Sequence, residues 1–301
     1  MEGELAAARG NRPRRLERIP PQSGALNLRL AVRILSQLHY KTVAFLHLPK
    51  TGGITLIKYL QEYLLRLPLI HLQCTCDFLD GPQNSEGSRL VAGHYFYPLL
   101  EILGRPLYSI TFLRDPVQRA ISAYQYILRN PGHPLHPQLS RARIGAPSQF
   151  VTDNLFSFHG ANMMTRMLGA DYDLRSVVDR IHKRTISAEE GKAIIDWMEK
   201  RPCDAGVLNR AMIRLERMSF LGLTEHWRAS LELLCRSIEA PVPAELFREN
   251  AAPEPDLAAR NALSKDEVEA VREANRFDEI LYRFGQRLFY ERCERQAVAA
   301  A

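Results

Sequence analysis

The residues best placed to do chemistry are Pro49-Lys50-Thr51-Gly52-Gly53. They lie between an apolar run, Thr42 to Leu48, and a stretch with apolar residues at Leu56, Ile57, Leu60 and Leu64. The run reads as a strand buried on both faces, and the stretch as a helix that begins near Ile54 and stops at Pro68. Gly52 and Gly53 let the backbone turn sharply and bring its N–H groups close to a ligand. A glycine turn feeding a helix N-terminus aims free amides and the positive end of a helix dipole at one point, which suits a phosphate or sulfate. Lys50 and the hydroxyls of Thr51 and Thr55 stand near the same point. The order differs from the nucleotide-triphosphate loop G-x-x-x-x-G-K-[ST], because here the lysine precedes the glycines.

Three further inferred strands end in polar residues. Leu90-Val91-Ala92 runs into Gly93-His94-Tyr95, Leu107 to Leu113 into Arg114-Asp115-Pro116, and Met218 to Leu223 into Thr224-Glu225. Asp115 fits a helix N-cap and Pro116 the first helical position. In the helix that follows, Val117, Ala120, Ile121, Tyr124 and Leu128 form a stripe predicted to be buried. Arg119, Ser122 and Tyr126 fall on another face. In open parallel sheets, ligands bind at the carboxyl edge near a switch in strand order, so four separate segments are expected to present their polar ends at one rim. A lysine, amide donors, an arginine–serine pair and a neutral histidine, with no carboxylate pair, suit transfer of an anionic group, in which positioning and charge stabilisation do most of the work. A sulfuryl group carries less charge than a phosphoryl group, so Lys50 and the amides suffice without a metal.

Strands alternating with helices imply an α/β fold with a parallel sheet covered on both faces. Residues 131 to 150, rich in Pro, His and Arg, read as a long loop with His133 and His136 exposed to solvent. Short helices are expected over Ser148 to Phe158 and Ala161 to Leu168, and longer ones over Ser187 to Arg201, Val207 to Glu216 and His226 to Ile238. Two more helical stretches run from Ser264 to about Arg295. The capping boxes Ser187-Ala-Glu-Glu190 and Ser264-Lys-Asp-Glu267 mark two of the starts. Cys76 to Ser88 and Pro241 to Pro255 read as links.

A chain of 301 residues suffices for one large α/β domain, placed here at 25 to 296, after a mobile basic arm over residues 1 to 24. Net charge of +6 favours anionic partners without choosing among nucleotide, acidic glycan and nucleic acid. Cys74, Cys76, Cys203, Cys235 and Cys293 are an odd, scattered set that fits a reducing, cytoplasmic compartment better than a disulfide framework. Ala25 to Leu38 is interrupted by Arg29 and Arg33, so neither a signal peptide nor a membrane anchor is expected.

The segments LHLPKTGGITL (46 to 56), SITFLRDPVQRAISAYQY (109 to 126), NMMTRMLG (162 to 169) and FLGLTEHWRASLELL (220 to 234) resemble, in order and spacing, the successive motifs of the carbohydrate sulfotransferases that use 3′-phosphoadenosine-5′-phosphosulfate (PAPS). The resemblance covers roughly residues 42 to 290 and is nearer the heparan sulfate 6-O than the 2-O branch; a soluble bacterial-type member fits best. It implies a P-loop-like central parallel sheet flanked by helices, the sulfotransferase fold, with PAPS as donor, 3′-phosphoadenosine-5′-phosphate as product and no metal. By this resemblance Lys50, Thr51, Gly52, Gly53 and Thr55 bind the 5′-phosphosulfate, and Arg114 and Ser122 bind the 3′-phosphate. Thr224 joins the cofactor site, Asn162 and Arg166 bind substrate, and His94 with Lys50 carries catalysis. Ile54 stands where the family commonly has Thr or Ser. The implied acceptor is a glycan or another hydroxyl-bearing molecule, and no nucleic-acid partner is expected. Two rivals stand beside this reading: a nucleotide-dependent kinase on a related sheet, and a non-catalytic module that binds polyanions through the basic arm.

Overall fold

The computed structural model of the chain describes residues 42–63, 69–80, 90–103, 107–240, 242 and 263–300. The basic arm, the Ala25 to Leu38 stretch, most of the 241 to 255 link and residues 81 to 88 of the earlier link lie outside them.

Five strands form one parallel sheet: β1 (Thr42–Leu46), β2 (Leu69–Leu72), β3 (Leu90–Gly93), β4 (Leu107–Leu113) and β5 (Phe220–Leu223), in the order β2-β3-β1-β4-β5. β1, β3 and β5 are buried along their whole length, as their unbroken apolar sequences require of strands covered on both faces. The chain leaves central β1 for one edge, returns through β3, and crosses to β4 and β5 on the other side. Right-handed crossovers running in opposite directions place their helices on opposite faces. Leu46 pairs with Gly93 on one side and with Thr111 on the other, so the strands finish nearly level and hand their next residues to one rim.

Helix α1 (Gly53–Tyr63) follows β1, and a 3-10 turn over Thr75–Asp80 follows β2. Then come α2 (Pro98–Ile102) and, after β4, α3 (Pro116–Arg129), α4 (His136–Arg141), α5 (Pro147–Thr152), α6 (Ser157–Gly160), α7 (Met163–Gly169), α8 (Leu174–His182), α9 (Ala188–Glu199) and α10 (Ala205–Arg217). After β5 come α11 (Trp227–Ser237), α12 (Lys265–Ala274) and α13 (Arg276–Ala300). The Asp115 carboxylate accepts from the Gln118 amide at 2.8 Å with Pro116 opening α3, and both predicted capping boxes are present. One core surrounds the sheet. A smaller one joins α3, α5 and α12 through Val117, Ile121, Tyr124, Phe150 and Val271.

The structure departs from the sequence reading at several places; among them, helix α2 was not expected, and the one short helix expected over Ser148 to Phe158 is divided between α5 and α6. β2 is a fifth strand, short and only half-buried at the sheet edge, with His71 interrupting its apolar pattern. Helix α8 was not expected from the sequence. Residues 131 to 150 hold α4 and the start of α5, each opened by a proline in its first turn, and His133 and His136 are half-buried. His136 Nδ1 hydrogen-bonds the Ile127 carbonyl at 2.9 Å, and the His133 ring meets Tyr126 edge-on. Finally, α3 is buried on more than its apolar stripe. Arg119 is wholly enclosed while Leu128 is 48% exposed, because α12 and α6 cover the polar side of the helix.

Candidate functional site

The residues after β1 form a strained turn into α1. Lys50 sits at φ 70° and Gly52 at φ 83°. Holding a non-glycine residue in the left-handed region costs roughly 1–2 kcal/mol, and such strain persists where the surroundings over-determine it. Three side chains do so. Thr51, fully buried, donates its hydroxyl to the Leu48 carbonyl at 2.8 Å. Arg114 Nη1 donates to the Lys50 carbonyl at 2.9 Å. The Thr224 hydroxyl is shared between the carbonyls of Thr51 and Leu113, each at 3.0 Å. Thus the ends of β4 and β5 are tied to the turn after β1. The Gly53 and Ile54 amides, in the first turn of α1, precede the first intrahelical bond, which Leu56 donates to the Gly52 carbonyl at 3.4 Å.

The end of β3 joins the same turn through a pair of histidines. His94 Nδ1 lies 2.7 Å from the His47 carbonyl, and the two rings pack at 4.3 Å between centroids, tilted by 34°. A carbonyl only accepts, so Nδ1 carries the proton and Nε2 keeps its lone pair. Burial lowers the His94 pKa to about 4 against the pull of that hydrogen bond, with His71 and Lys50 lowering it further. His94 is therefore neutral at pH 7, the form a general base needs.

On the other side, the Lys50 ammonium lies 4.0 Å from the centroid of the Tyr126 ring. Tyr126 is one turn beyond Ser122 on α3, so the Ser122 face of the helix is turned toward Lys50. The Trp227 ring packs beneath Gly52, where a Cβ would approach it to 3.1 Å. Ile54, in the position noted for its departure, is 45% exposed, and Thr55 is buried in the first turn of α1.

Lys50, Thr51, Gly52, Gly53, His94, Arg114 and Thr224 thus meet at one rim, with Ser122 on the adjacent helix face. Asn162 belongs elsewhere. At φ 51° it caps α7, and its side chain donates to the Ala274 carbonyl and accepts from the amides of Phe277 and Asp278, locking α13 in place. Arg166 lies between. Its guanidinium sits over the Phe158 ring at 5.9 Å and donates to the Arg201 carbonyl, while Nε has no partner. Phe158 in turn stacks on Phe96, two residues beyond His94.

The structure adds His47, His71, Tyr126 and Trp227 to the site. His47 reads in the sequence as one more residue of a buried strand. Among the described residues no cluster of His, Cys, Asp or Glu is arranged to hold a metal, and all five cysteines are free thiols. No helix among them is long and apolar enough to cross a membrane.

The parallel α/β sheet thus presents at its carboxyl edge a glycine turn leading into a helix N-terminus, a neutral histidine and cationic side chains, the kind of edge at which open parallel sheets bind ligands. The chain is 25% identical over 258 residues to a protein-tyrosine sulfotransferase of Arabidopsis thaliana, covering 69% of this chain and 51% of that protein. It is 24% identical over 274 residues to heparan-sulfate 6-O-sulfotransferase 1-B of Danio rerio, covering 83% of this chain and 66% of the relative. It spans from about half to two thirds of the length of these relatives, both of which are named sulfotransferases. No protein-family model matches the chain.

Proposed function

We propose that the chain is a PAPS-dependent O-sulfotransferase acting on a hydroxyl of a glycan or another hydroxyl-bearing acceptor. The observation that carries this reading is the joining of four strand ends at one turn: Arg114 to the Lys50 carbonyl, Thr224 to the Thr51 carbonyl, and His94 to the His47 carbonyl. The donor set fits a doubly phosphorylated nucleotide, since cations and N–H groups dominate it and carboxylates do not. Lys50, Thr55 and the amides of Thr51, Gly52 and Gly53 would hold the 5′-phosphosulfate. The Thr51 hydroxyl, already spent on Leu48, would contribute only by shaping the turn. Arg114 and Ser122 would hold the 3′-phosphate, and Thr224 would act by fixing the turn.

His94 Nε2 would take the proton as the acceptor oxygen forms its bond to sulfur and the sulfur–phosphate oxygen bond breaks. Lys50 and the α1 amides would meet the charge left on the phosphate oxygen. Arg166, held against Phe158 within two residues' reach of His94's strand end, belongs to the acceptor side. Asn162 is left out, because both ends of its amide are engaged.

The test is transfer of labelled sulfate from PAPS to a panel of glycans and tyrosine-containing peptides. Thermal shifts with 3′-phosphoadenosine-5′-phosphate and with ATP–magnesium run beside it. Transfer with stabilisation by the bisphosphate supports the reading. Stabilisation by ATP–magnesium alone would favour the kinase, and salt-sensitive polyanion binding that survives Lys50→Ala would favour the binding module.

A further inference from the structure

Between the anion-binding turn and His94 lies the side chain of His47, 4% exposed. One side of its ring is pressed on Gly53, where a Cβ would come within 2.0 Å of its Cδ2. Another faces the His94 ring at 4.3 Å, and it also stacks on Phe45 at 5.3 Å between centroids. Its own amide donates to the Gly93 carbonyl at 2.9 Å, and its own carbonyl accepts from the His94 Nδ1–H. A single residue therefore touches the first amide-bearing residue of α1 with its side chain, and the base with both side chain and backbone. No hydrogen-bond partner is found for its Nδ1, so packing on Gly53, Phe45 and His94 holds the ring at that side.

The geometry points to His47 as a positioning residue, a wedge whose ring sets the distance between the His94 base and the amides of the turn after β1. This rests on the proposed sulfuryl transfer for its catalytic consequence, but its structural content stands without it. The physical logic is close packing. A ring clamped between a glycine backbone and a second ring cannot shift without moving one of them, and about 1 Å of misplacement costs roughly 100-fold in rate. The wedge also keeps water from one face of His94. The other titratable groups facing the pair are His71 at the end of β2 and Lys50 in the turn, and both act on His94 and on His47 in the same direction.

The experiment is side-chain nitrogen NMR of the full chain across pH 3 to 8, with steady-state kinetics, for wild type, His47→Ala and His47→Phe. Wild type should keep a neutral, Nδ1-protonated His94 down to about pH 4. His47→Ala should admit water and move the His94 midpoint toward 6.5, lowering kcat roughly 10- to 100-fold while the KM for PAPS changes little. His47→Phe, which keeps the ring and its volume, should restore both. Identical His94 titrations in folded wild type and His47→Ala, or no rescue by phenylalanine, would overturn the inference. If His47→Ala does not fold, Gly53→Ala probes the wedge from its other side. A displaced His94 titration supports the wedge and an unchanged one refutes it. Absence of sulfate transfer by the wild-type chain would defeat the proposed reaction, while the NMR titrations would still decide the role of His47.

Discussion

The rim around Lys50 and the junction around Asp278 are both made of polar side chains, and they spend those groups differently. At the junction, Asp278 accepts from the amides of Met164 and Thr165 and from the Thr165 hydroxyl, and Asn162 bridges α7 to α12 and α13. Arg119 donates to the carbonyls of His159 and Gly160 and faces Asp278 at 4.0 Å. Burial pulls this pair toward neutrality, lowering Arg119 to about 10 and raising Asp278, while each partner holds the other charged. At the rim, by contrast, His94 anchors through Nδ1 on the His47 carbonyl and keeps its Nε2 lone pair. Arg114 and Thr224 anchor on carbonyls of the turn itself, at Lys50 and Thr51. The comparison separates polar groups that hold the fold from polar groups held ready by it.

Asp278→Ala should sharpen the contrast most. It strands a buried guanidinium and several donors, at a cost of about 3–5 kcal/mol, a large share of a domain's net stability. Chemical denaturation would read this as a collapse of the midpoint. His94→Ala should leave that midpoint nearly unchanged and lower kcat roughly 10²- to 10⁴-fold. In wild type, the acid limb of activity governed by His94 should fall near pH 4, well below the usual histidine range. Appreciable unfolding of His94→Ala would erase the distinction between the two regions.

A third buried polar group extends the comparison. Glu199 accepts from the hydroxyls of Thr75 and Tyr172, yet burial raises it to about 7. The folded chain then keeps a proton that the unfolded chain loses near the ordinary carboxylate value, so stability falls as pH rises from about 4.5 to about 7. Glu199→Gln should remove about 1–3 kcal/mol of that fall, as read from urea melts at pH 5 and pH 8. The smallest effect is expected at Ile54. It is 45% exposed, so Ile54→Thr should change stability by less than about 0.5 kcal/mol in the same melts.

Much of the rim was legible because its signals are local. Apolar runs ending in Lys50, His94, Arg114 and Thr224 mark strand ends, and Asp115-Pro116 marks a helix start. The junction was not legible, since its pairings join residues more than a hundred positions apart: Asn162 with Ala274, and Thr165 with Asp278. Arg119 shows why periodicity misled. A charged residue off the apolar stripe looks solvent-facing until α6 and α12 close over it. Edge strand β2 escaped because it is short and half-buried. His47 escaped because nothing in a single strand announces that a neighbouring strand will bring a second histidine against it.

In the proposed function, one rim grips both ends of a doubly phosphorylated adenosine donor. Calorimetric titration of 3′-phosphoadenosine-5′-phosphate in the presence of EDTA, with wild type and Arg114→Ala, tests it most directly. Wild type should bind without metal, and the variant roughly 10- to 100-fold more weakly, as expected for hydrogen bonds to a charged group worth about 1.5–3 kcal/mol. No binding by the folded wild-type chain, or equal affinity in Arg114→Ala, would contradict it.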